Sequence, residues 1–522
     1  MKNRLILFSA LLGIAGVLLL LPINLAWDDS DYLRNGLALS NGWAADWSSR
    51  PLHALGTPLK VRPKPPLLVW WIAAASSIFP SRSPAMLAII GAVAPFALLL
   101  WSIGRVTRDL FGDRSSWLAI LIALGSPMTL SFGSKVMVET FMGMTIMLSY
   151  YYAAKVLERP TKLRAALLGT AVALAALTKL TVVLFLPAPI AWFAVTRYRR
   201  HALQRGQFNM LLYSLVSMIV IAGPWYSKNL AAAVRFARFS ARYNVLALGS
   251  PETVGTALRL IGFARDIAGY GMIPVTCLAL AAFVRGPRGV GRESQEGGSA
   301  ALDFAIMSGL GAGSGALVLL WPPYFDPRFL APIWASLAVC IAGPLAAAFQ
   351  GKAAMRTIVV GALLAVAVGG SVRRLVAEPR TTTYWDARKL IDHLVDRYGV
   401  ANIYNLGNSR DWNVSKTGLI NELRAKPRDC FVLHDLSADD PAVFTRRVAD
   451  AQAVVALDRP RISADWFAYG PGLNRNLDGA VAFLRRSPDF EQVETDPAVD
   501  LPPLVVFVRK DRMTRAPVTH GR

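Results

Sequence analysis

Repeated apolar runs of about 20 residues, the length that spans a bilayer as a helix, constrain this chain more than any other feature. Such runs lie near residues 5–26, 84–104, 136–157, 209–227, 267–284, 301–321, 328–350 and 354–372. Shorter runs lie at 117–132, 164–178 and 180–196. Together they predict a polytopic α-helical membrane protein with about eleven transmembrane helices.

Composition agrees with a membrane location. The 522 residues are 54% hydrophobic and only 17% charged, whereas soluble domains carry about 25% charged residues. A net charge of +22 would suggest nucleic-acid binding in a soluble protein. Here the basic residues fall mostly in short loops between apolar runs, where they set topology. We therefore expect the lipid bilayer as a partner and no nucleic acid. The three cysteines are widely spaced, which supports neither a disulfide framework nor a zinc site.

The basic residues also predict the orientation. They cluster in alternate loops, at 105–114, 155–164, 197–205, 285–292 and 352–356. The positive-inside rule makes that side cytoplasmic, together with the N-terminus. The first apolar run has no small-x-small cleavage site before the acidic residues that follow it, so we interpret it as an uncleaved helix. A multi-pass membrane protein with a cytoplasmic N-terminus is expected.

The first predicted extracytoplasmic loop, within 27–80, combines acids and bases next to the membrane. Asp28, Asp29 and Asp31 follow the first apolar run, and Arg62 and Lys64 come about thirty residues later between prolines. This combination suits a reaction on an anionic, lipid-linked substrate at the membrane surface. Ordinary interfacial anchoring of the flanking charges is the alternative.

Two residues of this loop have specific predicted roles. Asp28, nearest the membrane, is the candidate general base that takes the proton of an acceptor hydroxyl, with Asp29 beside it. A structural role as helix-start acids is also open to them. Lys64 cannot lie inside a helix, because residues before proline favour extended backbone. It is therefore predicted to present an ammonium to a phosphate, unless it only snorkels to the interface.

Three further ionisable residues interrupt or border apolar runs. Glu139 begins a membrane helix and, with the Asp cluster, is a candidate ligand for a divalent cation; alternatively it pairs with Lys135. Lys179 splits an apolar run and is expected to meet an anion. Arg328 lies at a helix junction, where we expect it either to bind a phosphate of the substrate or to form a salt bridge with Asp326.

Two other segments need a local interpretation. In the loop 228–262, Arg235, Arg238 and Arg242 alternate with aromatic residues, which predicts an amphipathic helix at the outer surface. It serves as an interfacial anchor or receives an anionic lipid headgroup. The glycine-rich run at 309–316 lies within an apolar segment, so we interpret it as a helix-packing surface rather than a nucleotide loop.

The character of the chain changes near residue 380. Stretches at 401–407, 429–435, 451–458 and 502–510 are typical of strands, and helical stretches separate them. This alternation predicts a small extracytoplasmic α/β domain over 380–512 with a largely parallel sheet. The transmembrane domain is predicted to cover 1–375.

A series of motifs now resembles a known family. In order they are DDxDY after the first run, KPPLLxWW, ETF, a Thr-Lys break, Pro-Trp-Tyr at 224–226, and PRFLAP. Their order resembles the integral-membrane GT-C glycosyltransferases, nearest to the protein O-mannosyltransferase-related group and the lipid A aminoarabinose transferases. The resemblance spans roughly residues 1–350. Two departures concern the acids: Asp29 stands where Glu is common, and Glu139 where Asp is often found. Arg62-Pro63 also replaces the usual lead-in to the lysine.

The resemblance implies a polyprenyl-phosphate sugar donor, catalysis at the extracytoplasmic face and a base in the first loop. It places Asp28 and Asp29 in the acidic pair, Lys64 in the phosphate-binding element and Glu139 in the second acidic position. The residues we expect to hold the donor phosphate are Arg62, Lys64, Lys179 and Arg328. Those expected near the substrate are Asp31, Tyr32, Trp225 and Tyr226.

The predicted function is transfer of a sugar from polyprenyl phosphate to an acceptor hydroxyl on a lipid, glycan or protein. No cofactor is required by this chemistry, although a divalent cation held through Glu139 is left open. A transporter or flippase of lipid-linked sugars is the alternative, but it predicts charges near the bilayer midplane and an inverted repeat. A noncatalytic scaffold acting through the C-terminal domain would leave the first-loop charges without a purpose.

Overall fold

The computed structural model describes the following residues: 27–49, 56–60, 64–79, 86–87, 89–200, 205–248, 297–320, 330–349, isolated positions within 359–369, 383–400, 402–406, 431–433, 444–445, 448–457, 477–494 and 504–513. The helices of the N-terminal part are α1 (Trp27–Ser49), α2 (Leu67–Ile78), α3 (Ala94–Phe111), α4 (Asp113–Leu124), α5 (Pro127–Ser134), α6 (Val138–Glu158), α7 (Lys162–Ala176), α8 (Pro187–Arg200), α9 (Arg205–Leu248), α10 (Gly297–Leu320) and α11 (Trp334–Ala348). Short 3-10 helices lie at Thr57–Lys60, Leu180–Leu184 and Ala331–Ile333, and a π-helical turn at Ile89–Val93 precedes α3.

The described residues include four stretches that are long and apolar enough to cross a membrane. They are Ile89–Phe111, Asn209–Arg238, Ser299–Leu317 and Ala331–Ala348. The chain is accordingly a membrane-embedded helical protein. The spans predicted near 5–26 and 267–284, and most of the span at 354–372, lie outside the described residues.

The second of these stretches belongs to α9, which differs from the sequence-based prediction. We expected a span ending near residue 227 and a separate surface helix within 228–262, but α9 continues without a break to Leu248. Pro224 does not end it, since a proline removes only one helical hydrogen bond and can be accommodated within a long helix. The 44 residues of α9 measure about 66 Å at 1.5 Å per residue, roughly twice the hydrocarbon thickness. The helix therefore extends well past the bilayer.

The apolar run predicted at 117–132 is divided between two helices. Ser126 begins the second, because its side chain accepts a hydrogen bond from the Thr129 backbone N–H at 3.1 Å, and Pro127 suits the first helical position. The Asp-rich segment opens the 23-residue α1.

Close helix contacts occur where glycines remove side-chain bulk. Gly311 and Gly315 of α10 face Tyr150 and Phe185, and a Cβ atom at either position would collide with them. The Tyr150 hydroxyl also donates to the Phe185 carbonyl at 2.6 Å. The helix-packing interpretation of the glycine-rich run is therefore confirmed at these two positions.

The C-terminal part contains α12 (Thr383–Tyr398), β1 (Asn402–Leu406), β2 (Phe431–Leu433), β3 (Ala453–Leu457), α13 (Leu477–Arg486), β4 (Phe490–Val493), β5 (Leu504–Arg509) and α14 (Lys510–Met513). The strands form one sheet in the order β2-β1-β3-β5-β4. Strand β1 pairs with β2 and β3 in parallel, whereas β5 pairs antiparallel with β3 and β4. The prediction of a largely parallel sheet is thus wrong for half of the pairings, because β5 runs antiparallel to both of its neighbours, β3 and the unpredicted β4.

One apolar cluster connects the two parts. It contains Tyr32 and Leu33 of α1 and Ile72 of α2, together with Leu390 and Leu394 of α12. Helix α12 also covers one face of the sheet within this cluster. The first loop is consequently packed between the membrane helices and the C-terminal sheet.

The contact between α7 and α9 supplies a test of this packing. A Cβ atom at Gly169 would collide with the Ser214 backbone, whereas Gly309 of α10 has open space around it. We expect Gly169→Ala to lower the thermal midpoint of the purified protein in detergent, because overpacking costs about 1–3 kcal/mol. The matched Gly309→Ala variant should leave the midpoint unchanged or raise it, since alanine favours helix. Equal midpoints for the two variants would contradict this helix contact.

Candidate functional site

The first element of the site is an ion pair between the first-loop acid and base. Helix α1 carries Asp31 and Tyr32 in its second turn, and Lys64 lies in the segment that leads through two prolines into α2. The Lys64 Nζ atom lies 2.9 Å from Asp31 Oδ2 and 5.1 Å from the centre of the Tyr32 ring. Both charged side chains are about one quarter exposed. The pair is therefore accessible from outside while it is held in a defined position.

The second element is an ion pair that is far more deeply placed. Lys179 Nζ lies 2.7 Å from Glu139 Oε1, and the Glu139 side chain is only 4% exposed while Lys179 is 26% exposed. Glu139 lies in the first turn of α6, where the helix dipole favours a negative charge. A buried carboxylate is costly without a cation, so Lys179 is required at this place.

This pairing corrects the expected local partner of Glu139. Lys135 precedes α6 in extended backbone, with φ −129° and ψ 142°. It is therefore not one helical turn before Glu139, as the spacing suggested. The partner comes instead from a segment forty residues further along the chain, where α7 ends and a 3-10 helix begins.

A main-chain hydrogen bond joins the two ion pairs. The Leu67 N–H donates to the Leu177 carbonyl at 2.9 Å. Leu67 lies three residues after Lys64, and Leu177 lies two residues before Lys179. This carbonyl is available because Thr178 and Lys179 interrupt the helical run. The break in the apolar sequence thus fixes one lysine and anchors the segment that carries the other.

Helix α9 supports this junction from the side. The Tyr226 hydroxyl donates to the Ala176 carbonyl at 2.6 Å, and the Asn229 amide donates to the Leu59 carbonyl at 2.9 Å. Trp225 is fully buried in an apolar cluster that also contains Leu177, with Leu59 and Leu67 packed against it. Sequence analysis placed Trp225 and Tyr226 near the substrate, but it missed Asn229. Its position four residues after Trp225, on the same helix face, was the available signal.

The other predicted site residues are only partly described. Asp28 and Asp29 lie in the first turn of α1, but their side chains lie outside the described residues, as do Arg62 and Arg328. Within the described part of the chain, no group of three or more His, Cys, Asp or Glu side chains is arranged to hold a metal ion. The cation role of Glu139 stays a prediction.

The geometry of the described side chains suits an anionic ligand. An ammonium has three N–H donors, so a lysine can bond to a carboxylate and to a phosphate oxygen at the same time. Two ammonium groups on segments joined by the Leu67–Leu177 hydrogen bond can bind a phosphate and stabilise its negative charge. The aromatic surfaces of Tyr32 and Phe236, the latter 5.9 Å from Lys64 Nζ, form a wall beside the first lysine.

Comparisons with known proteins agree with this geometry. Residues 63–226 match the family model described as dolichyl-phosphate-mannose-protein mannosyltransferase. That stretch contains Lys64, Glu139, Lys179, Trp225 and Tyr226. A search of curated protein sequences finds no match.

Solved structures supply the fold. The apo structure of ArnT from Cupriavidus metallidurans aligns with a TM-score of 0.60 and 12% identity, covering 97% of this chain and 98% of that one. ArnT from the same organism bound to undecaprenyl phosphate gives a TM-score of 0.60 at 13% identity, with 96% and 97% covered. The chain has the fold of these ArnT structures.

The family match and this fold confirm the resemblance drawn from the sequence motifs. They favour the predicted glycosyltransferase and give no support to the flippase alternative. The family match also falls on the segment that contributes both lysines, although Asp28, Asp29, Arg62 and Arg328 lie beyond its limits.

Asn229 provides a test of how the site is held. Removing its amide in Asn229→Ala leaves the Leu59 carbonyl without this donor, which costs about 1–3 kcal/mol when the carbonyl is buried. We expect faster amide hydrogen exchange over residues 56–60 and a lower thermal midpoint. Asn209→Ala, at an exposed position of the same helix, should change neither. Unchanged exchange in Asn229→Ala would show that α9 does not hold the first loop.

Proposed function

We propose that this protein transfers a sugar from a polyprenyl-phosphate donor to an acceptor hydroxyl at the extracytoplasmic face of a bacterial inner membrane. The acceptor is a lipid, a glycan or a protein. The observation that carries the proposal is that the segments of two lysines, Lys64 and Lys179, are joined by the Leu67–Leu177 hydrogen bond within the stretch that matches the family.

The donor phosphate is proposed to bind at the two lysines. Each ammonium is held in place by a carboxylate partner, Lys64 by Asp31 and Lys179 by Glu139. Arg62 and Arg328 are proposed as further phosphate ligands. Trp225 and Tyr226 lie against the segment that precedes Lys179 and position it. A lipid-linked phosphate enters this site from the membrane, while the sugar faces the first loop.

The reaction then follows from charge and proton movement. The Asp28 carboxylate accepts the proton of the acceptor hydroxyl as its oxygen attacks the anomeric carbon of the sugar. The bond between that carbon and the phosphate oxygen breaks, and its electron pair leaves with the polyprenyl phosphate. The lysine ammonium groups stabilise the negative charge that develops there, so no general acid is needed. Asp29 is proposed to stabilise the cationic sugar centre.

The chain organisation fits this chemistry. We propose a transmembrane transferase domain over residues 1–375, with the first loop of 27–80 at its centre, and an extracytoplasmic α/β domain over 380–512. The apolar cluster that joins α1, α2 and α12 supports a location of the C-terminal domain beside the first loop. That domain is therefore placed to influence which acceptor reaches the donor.

The proposed base is tested by transfer of radiolabelled sugar from a polyprenyl-phosphate pool in membranes that contain the protein. Asp28→Asn should lower the transfer rate about 100-fold or more, since general bases contribute on that scale. Arg485→Gln, on the exposed face of α13, serves as a folded control that also removes one charge, of the opposite sign. Transfer by Asp28→Asn at the wild-type rate would remove Asp28 from the mechanism.

The role of Lys179 requires a variant that does not leave a buried charge. Lys179→Gln alone strands the Glu139 carboxylate, a change that destabilises proteins by about 3–5 kcal/mol. The double variant Glu139→Gln with Lys179→Gln removes both charges and should fold with near-wild-type stability. We expect the double variant to raise the KM for the donor at least tenfold. A wild-type KM in the double variant would show that the pair is purely structural.

A further inference from the structure

Beyond the candidate site, α9 carries exposed cations along its outer extension. Lys228, Arg235 and Arg238 are exposed, and no carboxylate pairs with them among the described residues. Lys228 and Arg235 are seven residues apart and Arg238 three further on, so all three lie on neighbouring positions of one helix side. We refer to these three residues as the cationic stripe.

The depth of the stripe in the membrane follows from the same helix. The exposed large hydrophobic residues of α9 extend from Leu211 to Leu230. This is about 28 Å of helix, which matches the hydrocarbon thickness of a bilayer. Lys228 therefore lies at the hydrocarbon boundary, and Arg235 and Arg238 lie about 8 and 12 Å beyond Leu230. The Cα of Arg235 is therefore at the outer edge of the headgroup layer, which is about 5–8 Å thick on each side. The Cα of Arg238 lies about 4 Å further out, a distance that its long, flexible side chain can span back to the headgroups.

The stripe lies on the same side of the membrane as the candidate site. Phe236, one residue after Arg235, contacts Lys64, and Asn229, one residue after Lys228, bonds to the first loop. One face of this helix segment is thus occupied by the site. The three cations of the stripe lie on a different side of the helix, where they can bind another partner.

We propose that the cationic stripe binds the headgroups of anionic phospholipids in the leaflet that faces the site. Phosphate groups at headgroup height meet ammonium and guanidinium groups at the same height, and each basic residue near an anionic membrane surface contributes to binding. The bound lipids hold the outer segment of α9 against the first loop. This surface is independent of the proposed sugar transfer and would exist whether or not the protein is a transferase.

The test measures the thermal midpoint of the full-length protein in neutral detergent micelles containing increasing phosphatidylglycerol. Because a ligand that binds the folded state raises its stability, phosphatidylglycerol should raise the wild-type midpoint and phosphatidylcholine should not. The variant Arg235→Gln with Arg238→Gln should need at least tenfold more phosphatidylglycerol for the same rise. The charge-preserving variant Arg235→Lys with Arg238→Lys should retain most of the response.

The matched control is Arg485→Gln with Arg486→Gln, which removes two exposed charges from α13 and should respond like the wild type. High salt should abolish the rise by screening. An unchanged response in the Arg235/Arg238 glutamine variant would overturn the proposal. An equal rise with millimolar inorganic phosphate in place of phosphatidylglycerol would overturn the lipid as the partner and assign a free-phosphate site.

Discussion

The burial of one carboxylate governs the arrangement around the site. Glu139 is almost completely removed from solvent, and such a charge is tolerated only with a cation beside it. Lys179 satisfies this requirement from the break between α7, which ends at Ala176, and the 3-10 helix that begins at Leu180. The interruption exposes the Leu177 carbonyl, and the first loop bonds to it through Leu67. The need of Glu139 for a cation thus accounts for the place of Lys179, and the Leu67–Leu177 bond ties the segment that carries Lys64 to it.

Helix α9 connects this arrangement to the membrane. Its inner face holds the first loop through Asn229 and contacts Lys64 through Phe236, while exposed apolar residues cover its lipid-facing side. Because α9 contacts both the first loop and the lipid, the position of this helix relative to the bilayer also sets the position of the site. If the site lysines lie just beyond the hydrocarbon, the polyprenyl chain of the donor can remain in the membrane while its phosphate reaches them.

Local sequence identified most of the residues, but not their partners. Lys64, Glu139 and Lys179 were identified because they lie within or beside apolar runs. A charged group there is energetically costly, so its presence indicates a functional role. The pairing of Glu139 with Lys179 could not be read from spacing, because the two residues are forty positions apart and meet only through tertiary packing. Helix-periodicity favoured Lys135, and the extended backbone before α6 removes that option.

The same limit applies to the larger elements. The apolar runs predicted the membrane helices that the structure describes, yet the outer extension of α9 was assigned to a separate helix because its composition changes beyond residue 227. Charged and aromatic residues are compatible with a continuing helix once it leaves the bilayer. In the sheet, β4 has only four residues, with a single buried side chain, and therefore carries too little apolar pattern to be predicted.

The most direct test of the account is an experimental structure of the protein with polyprenyl phosphate bound. The account predicts phosphate oxygens within about 3 Å of both Lys64 Nζ and Lys179 Nζ, the distance of charge-assisted hydrogen bonds. A phosphate bound instead at the Lys155 and Arg164 cluster, at the opposite end of α6, would contradict it. In that case the two ion pairs would be structural, and the first loop would not be the donor site.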